Sequence, residues 1–254
     1  MIEAIILGSG TSNGVPSLGH HYPASFLANP KNHRMRASLM LCGPTGNFLV
    51  DCSPEMRLQV TREEIFDIEA VLITHTHADH VMGMDDLRSI SMRNGTGLPI
   101  YAQPKDQVAI RRIFDYAFRE FPPGVMVPRF DLRDVPESIS VGGMTIQTFL
   151  VKHGSTTVVG LRVNDFAYVT DVSEIPPEAA PYLQNLDVLV LDAVRYKPHP
   201  NHFHFDKALE TIHDLAPKQA FLTHLSHDYD HDHVEAALPQ NIGLAYDRQR
   251  FRIQ

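Results

Sequence analysis

The stretch VLITHTHADH, residues 71–80, decides how this chain reads. Its first four residues are apolar or β-branched, the composition of a short buried strand. The next six hold three histidines and an aspartate, all side chains that bind protons and metal ions. His75 and His77 are two apart, so in an extended segment they face one side, and Asp79 and His80 follow where the chain turns into a new element. A polar loop is the plainer reading. Yet polar groups directly behind a buried strand need partners, and a metal ion supplies them more readily than apolar neighbours do. Imidazole and carboxylate suit zinc, manganese or iron, and the packing has room for two ions.

The order apolar strand, threonine, ligand-type residue recurs twice more. Residues 166–170 lead into Asp171, and residues 220–223 lead into His224. Open sheets build their sites at such strand ends, so one rim can collect all of these side chains. Further short β-type runs lie at 4–7, 38–42, 48–51, 100–102, 145–151, 158–163, 188–192 and 243–246. Helical patterns fall at 106–118, 177–184, 206–215 and 233–238, with Pro104, Pro176 and Pro239 near their ends. Hairpin signals at Gly142-Gly143 and Asn164-Asp165 sit beside strand–helix alternation, so an all-parallel sheet is excluded and two mixed sheets covered by helices are expected. With no linker, charge block or repeat, residues 1–254 read as a single domain.

Composition narrows the function classes. At 43% hydrophobic and 20% charged, without a run of about 18 apolar residues, the chain reads as globular and not membrane-spanning. The opening MIEAIILGSG lacks a basic leader, so a cytoplasmic location is expected. A net charge of -8 argues against a protein that grips nucleic acid mainly by neutralising phosphates. Cys42 and Cys52 flank a hairpin turn at 43–46 in a register too distant for a disulfide.

THTHADH resembles the HxHxDH signature of the metallo-β-lactamase superfamily. Other elements follow in that family's order: Asp51 in FLVDCS, His153 in FLVKHGS, Asp171 in YVTDVS and His224 in FLTHLSH. The resemblance implies an α/β fold, a four-layer αββα sandwich with two mixed β-sheets and a hydrolytic site at their edge. It also implies two divalent ions, zinc or manganese, with iron also compatible. His75, His77 and His153 would hold one, Asp79, His80 and His224 the other, and Asp171 would bridge them. Asp79 would also belong to the catalytic set, and Asp51 would support the site from an early strand.

LGSGTSNGVPSLG (7–19) and PNHFHFDKALETI (200–212) resemble the phosphodiesterase branch of that superfamily, in particular the phosphoribosyl cyclic phosphodiesterases of phosphonate breakdown. In that group the histidine after the asparagine is the general acid, which implies this role for His202. His204 is a candidate substrate contact. The implied reaction is hydrolysis of a small phosphate ester, cyclic or linear. Thioester or lactone hydrolysis, RNA 3′-processing and a non-catalytic metal-binding module are the alternatives. One departure stands out: His20, Tyr22 and Ser25 occupy positions where the group carries cysteines for an auxiliary zinc, and His20 with His227 alone cannot close a tetrahedral site. GSGTSNG (8–14) lacks the lysine of a phosphate loop and reads as a strand-exit turn. HDYDHDH (227–233) reads as the solvated first turn of a helix, and the proline-rich 121–132 as a mobile wall or a homodimer interface.

Overall fold

The structure is a computed structural model and describes residues 1–93, 97–122 and 124–254; Pro123, within the 121–132 stretch, lies outside the described residues. Side-chain alternation sets its layers. In β1 (Ile2–Gly8), Ile5 and Leu7 face one way while Ala4 and Ile6 face the other. The same two-way split recurs in β2 (Ser38–Cys42), with Met40 opposed to Leu39 and Leu41, and in β3 (Asn47–Val50), with Leu49 opposed to Phe48 and Val50. In β4 (Ile68–Leu72), Val71 opposes Ala70 and Leu72. Successive Cβ atoms leave a strand on opposite faces, so each strand feeds two cores at once.

Helices cover the outer face of this sheet. The short α1 (Ala24–Ala28) precedes β2; α2 (Met56–Glu63), α3 (Ala78–Val81), α4 (Arg88–Arg93) and α5 (Pro104–Ile113) bring Met56, Val60, Val81, Ile90 and Ile110 onto Leu7, Leu49 and Val71. The second sheet is built likewise. β5 (Leu98–Tyr101) and β6 (Phe130–Arg133) complete the first sheet; β7 (Ser138–Val141), β8 (Met144–His153), β9 (Thr156–Val163), β10 (Phe166–Val169), β11 (Val188–Asp192), β12 (Gln219–Thr223) and β13 (Ile242–Leu244) form the second. Ala208 and Ile212 of α6 (Phe205–Leu215) and Val234 of α7 (His231–Glu235) pack on Val169, Leu189 and Leu191, while Tyr168 and Val190 turn inward to meet the first sheet. The last strand, β14 (Arg250–Ile253), returns to the edge of the first sheet beside β1. Three apolar layers between four structural ones make the αββα sandwich that the sequence resemblance implies.

Both sheets follow one plan. The first runs β14-β1-β2-β3-β4-β5-β6 and the second β13-β12-β11-β10-β9-β8-β7, each with three antiparallel pairings on one side and three parallel on the other. The pairing mode changes at β3 and at β10, the strands that precede Asp51 and Asp171.

The structure departs from the sequence expectations in its edges and helices. β6, β7 and β14 carry alternating polar residues, as in Arg250-Phe251-Arg252-Ile253, so they show no apolar run. Helix α2 was not visible because only Met56, Gln59 and Val60 along it are buried. Within 177–184 the chain forms only a 3-10 turn, Ala180–Leu183. Among the described residues no helix is long and apolar enough to cross a membrane.

Candidate metal centre

Three ligand-type residues share an uncommon backbone. Asp51, Asp171 and His224 each sit just past a buried strand with φ of 62°, 53° and 58°. A left-handed residue ends the strand and swings its side chain from the sheet face to the rim. Such conformations cost on the order of 1 kcal/mol or more and are retained where the surroundings demand them. Asp and His tolerate the region better than β-branched residues do.

The structure brings the sequence candidates together on this rim. Ligand atoms of His75, His77, His153 and Asp171 lie within 4.8 Å of one another, as do those of Asp79, His80 and His224. Asp171 sits between the groups: its Oδ1 is 3.9 Å from His75 Nε2 and 3.5 Å from His224 Nε2, and its Oδ2 is 3.3 Å from His80 Nε2. Asp79 Oδ2 lies 3.2 Å from His80 Nε2 and 3.5 Å from His224 Nε2. All are buried except His77, which caps α3 at its exposed N-terminus.

The outer nitrogens are already fixed. Asp51 accepts from the Thr74 N–H and hydroxyl, each at 2.8 Å, and from His80 Nδ1 at 2.7 Å. His153 Nδ1 donates to the Asn201 carbonyl at 2.7 Å. These bonds turn Nε2 of both rings toward the shared space, and among the described residues the buried Nε2 atoms of His75, His80 and His153 have no hydrogen-bond partner of good geometry. Buried imidazole nitrogens are rarely left so.

Electrostatics completes the test of fit. Burial first, then His80, pushes His75 well below the ordinary histidine range, and burial likewise lowers His153, so both are neutral donors. At His80 burial is outweighed by Asp171, Asp51 and Asp79, and at His224, pushed up to about 9, by Asp171, Asp79 and Asp192. The carboxylates thus demand positive charge in the space that the unpartnered nitrogens face. Divalent cations satisfy both.

The sequence reading passed over Asp192, the last residue of β11. It is fully buried and accepts from His202 Nδ1 at 2.9 Å and from the Val172 N–H at 3.0 Å. His202 stacks on His224, ring centroids 4.9 Å apart, with its Nδ1 3.8 Å from Asp171 Oδ1. The signal for Asp192 was present: an apolar strand ending in aspartate, as before Asp171. His199, whose ring lies 4.8 Å from that of His202, was also missed. His204 belongs to none of these groups; it is the N-cap residue of α6, and its carbonyl accepts the Ala208 N–H.

Residues 46–225 match the model of the beta-lactamase superfamily domain. The chain belongs to the beta-lactamase superfamily. A solved diphosphatase of the PhnP family is 34% identical, with a TM-score of 0.92, the alignment covering 100% of this chain and 98% of that one. A curated octanoyltransferase from Porphyromonas gingivalis is also 34% identical over 97% of this chain, which spans only 50% of that relative's length. The short form of human tRNase Z shares 18% identity at a TM-score of 0.70 and shows the fold alone.

Rings gather around His20 and Tyr22, where the sequence resemblance implied cysteines. His20 lies 4.1 Å from His227 and 4.7 Å from Tyr22, which stacks on Phe26. Ser25 is exposed. The 227–233 motif is not a solvated turn throughout. Asp230 does cap α7, accepting the His233 N–H, but Tyr229 and His231 are fully buried: Tyr229 packs in the core with Ala208, Ile212 and Val234, its ring stacked on Tyr196 at 4.9 Å, and Asn32 accepts the His231 N–H at 2.8 Å. In GSGTSNG, Gly8 and Gly10 serve close approach: a Cβ on Gly8 would meet the Arg36 carbonyl oxygen at 2.0 Å.

Proposed function

We propose that this chain is a metal-dependent phosphodiesterase acting on a small phosphate ester, with two divalent ions of zinc, manganese or iron. The carrying observation is the convergence of seven ligand-type side chains, three with unpartnered Nε2 atoms, beside a histidine hydrogen-bonded to a buried aspartate. The full-length likeness to a PhnP-family diphosphatase supports phosphate as the reacting group.

In this reading His75, His77 and His153 would hold one ion and Asp79, His80 and His224 the other, with Asp171 available to both. When bound, the ions supply Lewis acidity to the phosphoryl oxygens and lower the pKa of an attacking water. Asp51 orients His80, and the Asn201 carbonyl orients His153. Asp79, held ionised by His80 and His224 against its burial, orients the water. His202 is the proton donor. Its Nδ1–H is committed to Asp192, whose carboxylate stabilises the imidazolium, and Nε2–H passes its proton to the leaving alkoxide, a contribution of about 10² to 10⁴ in rate. His204, the N-cap residue of α6, is kept in this proposal as a contact to the ester beyond the scissile bond.

The octanoyltransferase likeness favours keeping an acyl thioester as a second reading. The test combines metal analysis with a panel of cyclic sugar phosphates, linear phosphodiesters and an octanoyl thioester, read as kcat/KM of the metal-replete protein. Cyclic phosphates should lead. A thioester hydrolysed faster than every phosphodiester would overturn the reading.

A further inference from the structure

Between β11 and α6 the chain makes a loop, residues 193–204, that carries His202 and is pinned at several points. The Val194 N–H donates to the Phe203 carbonyl at 3.0 Å and the Phe205 N–H to the Arg195 carbonyl at 2.9 Å, so the loop is closed at its feet. Inside it, Arg195 Nε and Nη2 donate to the carbonyls of Lys197 and Pro198 at 3.1 and 2.8 Å. Asn201 ties the loop to the metal centre. Its carbonyl accepts from His153 Nδ1 at 2.7 Å, and its side chain packs where Gly154 has no Cβ.

His199 stands in this loop between Pro198 and Pro200, whose rings restrict the backbone on both sides. It is half-buried, and its Nδ1 accepts the Asn201 N–H at 3.1 Å. An accepting Nδ1 leaves the proton of the neutral ring on Nε2. Burial, and then His202, lower the pKa of the ring, so it is a neutral donor at neutral pH. Among the described residues nothing accepts from that Nε2. A surface histidine is ordinarily free to rotate, whereas this one is fixed by the residue that also orients the proposed ligand His153. His202 has three ring neighbours: His153 at 4.6 Å, His224 at 4.9 Å and His199 at 4.8 Å. The first two are proposed ligands, and His199 alone is free to meet substrate.

We propose that His199 is a substrate contact whose Nε2–H donates to a second oxygen carried by the departing alcohol, so that the site selects for alcohols with an oxygen beside the leaving one. The inference rests on the phosphodiesterase reading, in which His202 protonates the leaving alkoxide. An alcohol that takes its proton from His202 lies next to the ring beside it. A fixed donor there rewards an oxygen and leaves a methylene unmatched. Because loop and ring are held in place before substrate arrives, little ordering is left for binding to supply.

The test compares two symmetric diesters, bis(2-methoxyethyl) phosphate and dibutyl phosphate, which differ by an ether oxygen in place of a methylene. Symmetry ensures that the same alcohol departs whichever ester bond breaks. The readout is the ratio of their kcat/KM values in the metal-replete full chain. His199→Asn keeps an acceptor for the Asn201 N–H and removes the donor, whereas His199→Gln restores an N–H at about the reach of Nε2. The preference for the ether should fall about 2- to 10-fold in His199→Asn and be largely retained in His199→Gln. A residue that only holds Asn201 gives the opposite order. That order, or one ratio shared by all three proteins, overturns the inference and leaves phosphodiester hydrolysis standing. A wild type inactive on every phosphodiester overturns the phosphodiesterase reading and this inference with it.

Discussion

Replacing Asp192 by asparagine isolates the contribution of the carboxylate behind His202. Asparagine keeps the shape and a carbonyl oxygen for the Val172 N–H, so the backbone at β10 is retained. What is lost is the charge of a fully buried carboxylate 2.9 Å from His202 Nδ1. Hydrogen bonds to charged groups contribute about 1.5–3 kcal/mol, and with about 1.4 kcal/mol per tenfold the expected fall in kcat is roughly 10- to 150-fold. His202→Ala sets the ceiling, at about 10² to 10⁴. Leaving-group dependence is the decisive assay. An alkyl phosphodiester needs the proton and should show the full loss, whereas a nitrophenyl ester, whose leaving group is stable as an anion, should be nearly spared in both variants. Asp192 also lies 3.7 Å from His224 Nδ1, so metal content is measured in parallel. Equal losses on both esters, or loss of bound metal, would refute the proton-donor reasoning.

Asp51→Asn removes the acceptor that orients His80 and should weaken metal affinity by about 10- to 100-fold, read by competition with a chromogenic chelator; unchanged affinity would leave Asp51 with a purely structural part. Gly83→Ala places a Cβ 2.0 Å from the Ser53 carbonyl oxygen, a backbone atom that cannot yield, and should cost about 1–3 kcal/mol in denaturant unfolding. Because His231 is held near 4 when folded and titrates near 6.5 when unfolded, the unfolded chain binds more protons between these values, so stability falls as pH drops from 6.5 toward 4. In His231→Gln that slope should be shallower; a wild-type slope in the variant would show that other groups carry it.

Much of this molecule was legible because its chemistry is written locally. Residues 71–80 join a strand to four ligand-type side chains, and the threonine-then-ligand order repeats at Asp171 and His224, so the rim could be assembled from short words. Asp192 escaped because it ends an apolar run and reads as the strand's last residue; its role depends on His202, ten residues later, folding back onto it. Tyr229 and His231 were misjudged for a related reason. Their stretch is polar enough for a surface turn, and burial comes from distant segments, Tyr196 and Phe205 against Tyr229 and Asn32 against His231, which no periodicity announces. The edge strands β6, β7 and β14 have only one face to bury and so too few apolar residues to register.

The three left-handed residues at the rim have a consequence for how ions leave. Each is held in its disfavoured backbone only while the strand before it stays paired, so ion affinity gauges local sheet integrity. β3 and β10 are the middle strands of their sheets, whereas β12 has just the three-residue β13 between it and solvent. Gentle heating should therefore release His224 before either aspartate, and with it any ion that His224 would hold with Asp79 and His80 under the proposed function.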